Sequence, residues 1–262
     1  EWGLRKASDI RRKDTIKLLD EIVARGSPIT ANRVLEVVRK MYNFGIERDL
    51  VESNPCTMVR APTKERRRER VLSESEIISF WTGLNSAQFS EPVKIAIKIL
   101  LFTAQRRGEV ATMSWDDLEL DTGWWTIPSE KAKNGLSHRV PLTEPVIKLL
   151  KAAESLSDSS KWVFSSTRGK GEFSINPAAL TRAIARSREH YKIESFGPHD
   201  LRRTAASHMA SLGVARLVLG KILNHVDSSV TAVYDRHSYD MEKQAALTTW
   251  SAKIIQLTDE IN

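Results

Sequence analysis

Apolar residues recur along this chain at two different periods, and the changes of period mark out its elements. Ile16, Leu18, Leu19, Ile22 and Val23 are spaced for a helix over Lys13 to Ala24, with Gly26 to end it. A second helix is predicted from Thr30, a good N-cap, to about Arg48, through Val34, Val37, Val38, Met41 and Phe44. Two helices bury little apolar area, so this unit needs a partner, a preceding segment or the rest of the chain to lean on. From Ala61-Pro62 to Arg70 the periodicity stops. Proline and dense charge there predict an exposed linker over residues 61–71.

A larger core begins beyond it. Ser90 and Pro92 open a helix carrying Val93, Ala96, Ile97, Leu100 and Leu101. The period then shortens towards two. Strands are predicted at Trp115–Leu120, at Trp124–Pro128 after the turn Asp121-Thr122-Gly123, and at Arg139–Thr143 after the turn signal Asn134-Gly135. The remainder reads as helical, apart from a short strand at Trp162–Phe164. Its last stretch carries Leu247, Trp250, Ile254 and Leu257 at helical spacing. No internal repeat is found. The expected fold is mainly α with a small antiparallel β-sheet: a helical domain over residues 1–60, the linker, and a second domain over residues 72–262.

Charge refines this picture. Residues 1–70 hold 17 Lys+Arg against 11 Asp+Glu, whereas the rest of the chain holds 23 against 22. The basic excess therefore lies in the N-terminal quarter, as on a segment that faces a polyanion, although a solvated basic surface has the same count. No apolar run approaches the ~20 residues that span a bilayer, so no membrane partner is expected. The single cysteine, Cys56, excludes an internal disulfide and fits a reducing cytoplasm. The first residue is Glu1 rather than Met, which leads us to expect an excerpt of a longer protein with a further N-terminal segment. Six histidines and one cysteine show neither H-E-x-x-H nor C-x-x-C spacing, so neither a metal site nor a cofactor is expected. Arg168-Gly169-Lys170-Gly171 lacks the P-loop pattern and reads as an exposed turn.

Breaking a phosphodiester without a metal needs a nucleophile, cations for the non-bridging oxygens and a proton for the leaving oxygen. Arginine suits the second task, since its planar fork holds two oxygens and keeps its charge. Three segments offer such groups: Thr103-Ala-Gln-Arg106-Arg107-Gly-Glu109, Pro198-His199-Asp200-Leu201-Arg202, and Leu223-Asn224-His225 followed by Tyr234. Each alone is weak: an Arg near a Glu is usually a surface ion pair, a His at a helix start is often a cap, and a Tyr beside Val233 is more often core.

Their order is what signifies. The sequence resembles the tyrosine recombinase family, and within it the integrases of phages and genomic islands. That family shows T-G-x-R-x-x-E, a Lys in a β-hairpin, H-x-x-R, L-G-H, and a nucleophilic Tyr nine residues beyond that His. Here stand Thr103 to Glu109, Lys133, His199 to Arg202, Leu223 to His225, and Tyr234 at that spacing. Two positions depart: Ala104-Gln105 replaces the family's common Gly-Leu, and Asn224 replaces Gly. Lys131 is a second hairpin lysine, and Lys133 is preferred because it directly precedes the turn.

The resemblance implies a site-specific recombinase acting in integration or excision of a mobile element, without metal or ATP. Residues 1–60 would be the family's core-binding domain, and its N-terminal arm-binding domain would be missing. By the same resemblance Arg106 and Arg202 clamp the scissile phosphate, His199 and His225 assist, and Lys133 protonates the leaving 5′-oxygen. Glu109 orients the site, and Tyr234 forms a 3′-phosphotyrosine link. The implied partners are double-stranded DNA, further copies of the chain as a tetramer on synapsed DNA, and DNA-bending accessory proteins, at the nucleoid in the cytoplasm. His208 and His237 are read as structural. The C-terminal stripe reads as packed on its own domain, with docking on a neighbouring protomer as the alternative. Two other functions stay open: a type IB topoisomerase, and a DNA-binding protein without catalysis.

Overall fold

The structure, a computed structural model, describes residues 2–65, 69–157, 160–167, 171–226, 235 and 237–259. The chain divides into two compact units, Glu1–Arg68 and Glu69–Asn262.

The first unit is built on α1 (Arg12–Ala24) and α2 (Pro28–Glu47). Asp14 anchors the start of α1, accepting from the Arg11 backbone N–H at 2.8 Å and from Arg5 Nη1 at 3.0 Å. Gly26 ends the turn after α1 at φ +76°, where a side chain is strained. The second helix starts earlier than the Thr30 cap suggested. Pro28 occupies its first turn, where a fixed φ and a missing N–H cost nothing. The apolar positions of α2 split in two: Leu35, Val38 and Tyr42 join Leu19 and Ile22 in a small core, whereas Val37, Met41 and Phe44 are exposed. The start of the expected linker is not free. Asn32 Nδ2 on α2 donates to the Thr63 carbonyl at 2.8 Å and to Glu65 Oε1 at 2.9 Å, which lays residues 63–65 along the helix.

The second unit runs α3 (Glu74–Ser86), α4 (Glu91–Thr103), α5 (Arg107–Ala111), β1 (Leu118–Glu119), β2 (Trp124–Ile127), β3 (His138–Pro141), α6 (Glu144–Ser155), α7 (Pro177–Arg186), α8 (Arg188–Tyr191), α9 (Pro198–Ser211), α10 (Arg216–Ile222) and α11 (Asp240–Asp259). The three strands pair antiparallel in the order β1-β2-β3, with Trp125 opposite Val140. The strand expected over Trp115–Leu120 shrinks to two residues, because Trp115–Asp117 closes a 3-10 turn instead. At Trp162–Phe164 an isolated bridge from Trp162 to Ser114 replaces the expected strand. The start of α3 escaped the apolar pattern but is a capping box, in which Ser73 Oγ accepts from the Glu76 N–H and the Glu76 carboxylate accepts from the Ser73 N–H.

The core of this unit is continuous. The central helix α4 is buried over Ile95, Ala96, Ile97 and Ile99–Phe102, and α9 supplies Leu201, Ala205 and Met209. Leu212 follows the last turn of α9 and is exposed. The stripe on α11 is spent within its own unit rather than on a neighbour. Leu247, Trp250, Ile254 and Leu257 are buried, Trp250 Nε1 donates to the Leu101 carbonyl at 2.9 Å, and its ring stacks on His208. Among the described residues no helix is long and apolar enough to cross a membrane.

Candidate active site

Three chain turns, far apart in sequence, build one hollow. The first follows α4, where Ala104 takes a left-handed φ of 56° and turns the chain sharply. Arg106 then caps α5: its N–H donates to Glu109 Oε2 at 2.8 Å, and its Nη1 donates to Glu109 Oε1 at 2.8 Å. Glu109 is buried, so this double contact fixes both the backbone and the guanidinium of Arg106.

The second turn ends α10. His225 N–H donates to the Gly220 carbonyl at 3.0 Å and Asn224 N–H to the Lys221 carbonyl at 3.2 Å, with Asn224 at φ +46°. This is a Schellman closure with asparagine in the left-handed position. Beyond it the last carbonyls of α10 and its turn find side-chain partners. Ile222 O accepts from Gln105 Nε2 at 3.0 Å and faces His138 Nε2 at 3.1 Å. Leu223 O accepts from Arg202 Nη2, and Asn224 O accepts from Arg106 Nη2 at 3.3 Å. Both guanidiniums thus cap the negative end of a helix, which positions them and offsets part of the cost of burying their charge.

The third turn opens α9, where Pro198 sits in the first turn and Asp200 closes the cap by accepting from the Gly197 N–H at 3.0 Å. Arg202, one turn on, is 4% exposed, and its Nη1 donates to the Ala104 carbonyl at 2.7 Å.

These groups line one cleft of about 600 Å³, among them Arg106, Arg202, His199, Lys131 and Lys133. Its two carboxylates are already engaged: Glu109 with Arg106, and Asp200 with Arg203 at 2.8 Å. The cleft therefore offers a net positive field to a ligand. Burial first, and then Arg106, push the Arg202 guanidinium down to about 10, so it stays charged at neutral pH. The same two causes operate on the imidazoles. Burial lowers His199, helped by Arg203 and Arg202; burial lowers His225, helped by Arg202 and Arg106. Both are thereby shifted towards the neutral form, which can accept a proton. His225 does not line this cleft; it lines a second hollow of about 370 Å³ with His138, Lys221 and Lys243.

The two hairpin lysines differ in their surroundings. Lys131 is tied to Asp117 by an ion pair and lies 5.3 Å from the centre of the Trp162 ring. Lys133 is exposed at the cleft and makes no ion pair among the described residues. Tyr234, the expected nucleophile, lies outside the described residues, as do Arg168, Gly169 and Lys170 of the glycine-rich segment. His208 Nε2 donates to the Leu72 carbonyl at 2.8 Å, and His237 faces Glu242 at 2.9 Å. Gln105, buried at the heart of the site, has no role in the sequence pattern; its place directly before Arg106 is the signal that points to it.

A family model described as the phage integrase family matches residues 70–241, more than half of the chain. The chain belongs to the phage integrase family. Prophage integrase IntZ of Escherichia coli (strain K12) is 27% identical over 256 residues, covering 96% of this chain and 62% of that protein. The chain thus spans less than two thirds of that relative. A tyrosine recombinase of Thermosipho africanus (strain TCF52B) is 24% identical over 246 residues, 91% of this chain and 84% of the relative. Among solved structures, a lambda integrase(75-356) dimer bound to a COC' core site matches with a TM-score of 0.66 at 18% identity, over 90% of this chain and 82% of that one. The Tn1549 transposon integrase in complex with circular intermediate DNA gives 0.64 at 16%, over 91% and 85%. At these identities the likeness is one of fold.

In this phage integrase chain the two departures from the family's glycines have a common geometry. Ala104 and Asn224 are both left-handed. The backbone shape that glycine supplies at low cost is kept, at the cost of some strain in the alanine and less in the asparagine.

Proposed function

We propose that the chain is a site-specific DNA recombinase that cleaves and rejoins strands through a covalent link to Tyr234. The observation that carries this reading is the pair of guanidiniums, Arg106 and Arg202, opening on one cationic cleft with Lys133 and His199 beside them. Two like charges held this close repel each other in the free protein, as the lowered Arg202 reflects. A phosphate diester between them converts that repulsion into attraction, most strongly when negative charge builds up on phosphorus in the transition state.

The Tyr234 oxygen attacks phosphorus while its phenolic proton passes to a neutral imidazole, His199 or His225. The bond from phosphorus to the 5′-oxygen breaks, and the Lys133 ammonium gives that oxygen its proton. Attack by a 5′-hydroxyl on the phosphotyrosine reverses these transfers and rejoins a strand, so the bond energy is conserved and no nucleotide is consumed. Glu109 holds Arg106 in place. In this reading the basic first unit lies on DNA as a core-type binding domain, joined to the catalytic unit by the basic linker over residues 61–71. Paired duplexes bring further copies of the chain, a tetramer on synapsed DNA, at the nucleoid.

A duplex of the attachment sequence that flanks the encoding element, nicked beside the cleavage site, tests this. The wild-type chain should form a covalent adduct that vanishes in Tyr234→Phe while binding persists. Binding without any adduct would make it a DNA-binding protein. Relaxation of supercoils by a single copy, without Holliday junctions, would make it a topoisomerase.

A further inference from the structure

We propose that Asn224 and Asn134 form a latch that holds the Lys133 loop over the cleft, which makes both of them positioning residues for the proton-donating lysine. The inference rests on the recombinase reading and adds to it the device that places the proton. Asn134 Nδ2 donates to the Asn224 carbonyl at 3.1 Å and to Asn224 Oδ1 at 3.0 Å. In return Asn224 Nδ2 donates to Asn134 Oδ1 at 3.3 Å and to the Leu136 carbonyl at 3.4 Å. Two amides from turns 90 residues apart are paired face to face, and the neighbour of Asn134 is Lys133.

The rest of the loop gives the latch its importance. Between β2 and β3 the chain is closed by short-range bonds, such as Gly135 N–H to the Ala132 carbonyl at 3.0 Å and Leu136 N–H to Asn134 Oδ1 at 3.1 Å. Lys131 secures the base of the loop through Asp117. Among the described residues, every hydrogen bond from residues 133–136 to another part of the unit runs to Asn224. An exposed lysine on such a loop spends little of its time at one point in space unless the loop is fastened.

The anchoring point is itself part of the site. The Asn224 carbonyl that receives Asn134 also receives Arg106, and the next residue is His225. The latch therefore ties the lysine loop to an arginine and to the imidazole turn at once. A glycine at 224 makes the left-handed turn easily but has no side chain for the loop. Asparagine tolerates that conformation and adds the cross-link.

The test compares Asn134→Asp, which removes both amide donors and keeps the oxygen for Leu136, and Asn224→Gly, which eases the turn, with the wild-type chain. Hydrogen exchange of residues 129–137 reads the latch directly. Exchange should speed up in both variants while thermal stability stays within a few degrees of wild type. Adduct formation is then measured on the nicked attachment duplex with oxygen or with sulfur at the 5′-bridging position. A sulfur leaving group departs as thiolate and needs no proton. Each variant should lose about tenfold or more on the oxygen substrate, and little on the sulfur substrate, as Lys133→Ala should. Unchanged exchange in Asn134→Asp, or an equal loss on both substrates, would overturn the latch. A wild-type chain that forms no adduct with either substrate overturns the recombinase reading instead, and exchange still decides whether the loop is fastened.

Discussion

The carbonyl of Ala104 accepts a hydrogen bond from Arg202 Nη1 at 2.7 Å, joining residues 98 positions apart at the floor of the cleft. Arg202 spends its other terminal nitrogen on the Leu223 carbonyl, so one planar group is pinned at two points and presents a fixed edge to a ligand. Lysine keeps the charge but cannot span both carbonyls. Arg202→Lys should lower stability by about 2 kcal/mol, since a buried carbonyl loses its donor. It should also cut adduct formation by ~10²-fold or more, as loss of an oxyanion donor does. Denaturant unfolding and single-turnover cleavage measure the two effects. A loss of only a few-fold in cleavage would take Arg202 off the phosphate.

The same turn predicts a gain. Ala104 is held at φ 56°, which costs an L-residue with a Cβ about 1 kcal/mol or more relative to glycine. Ala104→Gly should therefore raise stability by up to about 1 kcal/mol, the gain being reduced by the greater freedom of glycine in the unfolded chain. The carbonyl that Arg202 uses stays in place, so cleavage should be unaffected. A fall in the unfolding midpoint would mean that the alanine methyl contributes more in packing than the turn costs.

Much of this site was legible in the sequence because its chemistry is written in residue types at fixed spacings. The family resemblance carried by the order of the motifs points to Arg106, His199, Arg202 and His225, and apolar periodicity marks α4 and α11. What escaped depends on contacts between distant positions. No local pattern says that Gln105 reaches Ile222 or that Asn134 reaches Asn224, each across about ninety residues or more. The first unit misled for a related reason. Val37, Met41 and Phe44 fall at helical spacing as core residues do, yet a two-helix unit has only enough interior for Leu35, Val38 and Tyr42. The strand expected at Trp115 failed because consecutive aspartates favour a turn over a pleated edge.

The lysines can be separated by experiment. Both line the cleft, but Lys131 is engaged by Asp117, whereas Lys133 has no ion-pair partner among the described residues. An ammonium held on a carboxylate must break that contact before it can reach a leaving oxygen. Lys133→Ala should slow adduct formation by ~10²-fold on an oxygen leaving group, within the range for general acid catalysis. Lys131→Ala should cost only a few-fold, through a looser loop. The reverse order would assign the proton to Lys131.

His138 gives the fold an acid-side weakness that can be calculated. Its Nε2 lies 3.1 Å from the Ile222 carbonyl, an acceptor only, so Nε2 carries a hydrogen. Burial, and then Lys243, push it down to about 4. Unfolded, the same ring has the ordinary histidine value of about 6.5. Above pH 6.5 both states are neutral and the ring makes no contribution that depends on pH. Between 6.5 and 4 the unfolded chain takes up a proton that the folded one refuses, so stability falls as the medium is acidified. The drop, 1.36 kcal/mol for each of the 2.5 pH units of difference, comes to about 3 kcal/mol. His138→Gln keeps an N–H for Ile222 and has no proton to gain. Stability curves of the two proteins should therefore run together above pH 7 and separate below 6.5, with the wild-type chain losing about 3 kcal/mol relative to the variant by pH 4. Parallel curves over that window would show that His138 takes up its proton as readily in the folded protein as in the unfolded chain and that burial does not hold it neutral.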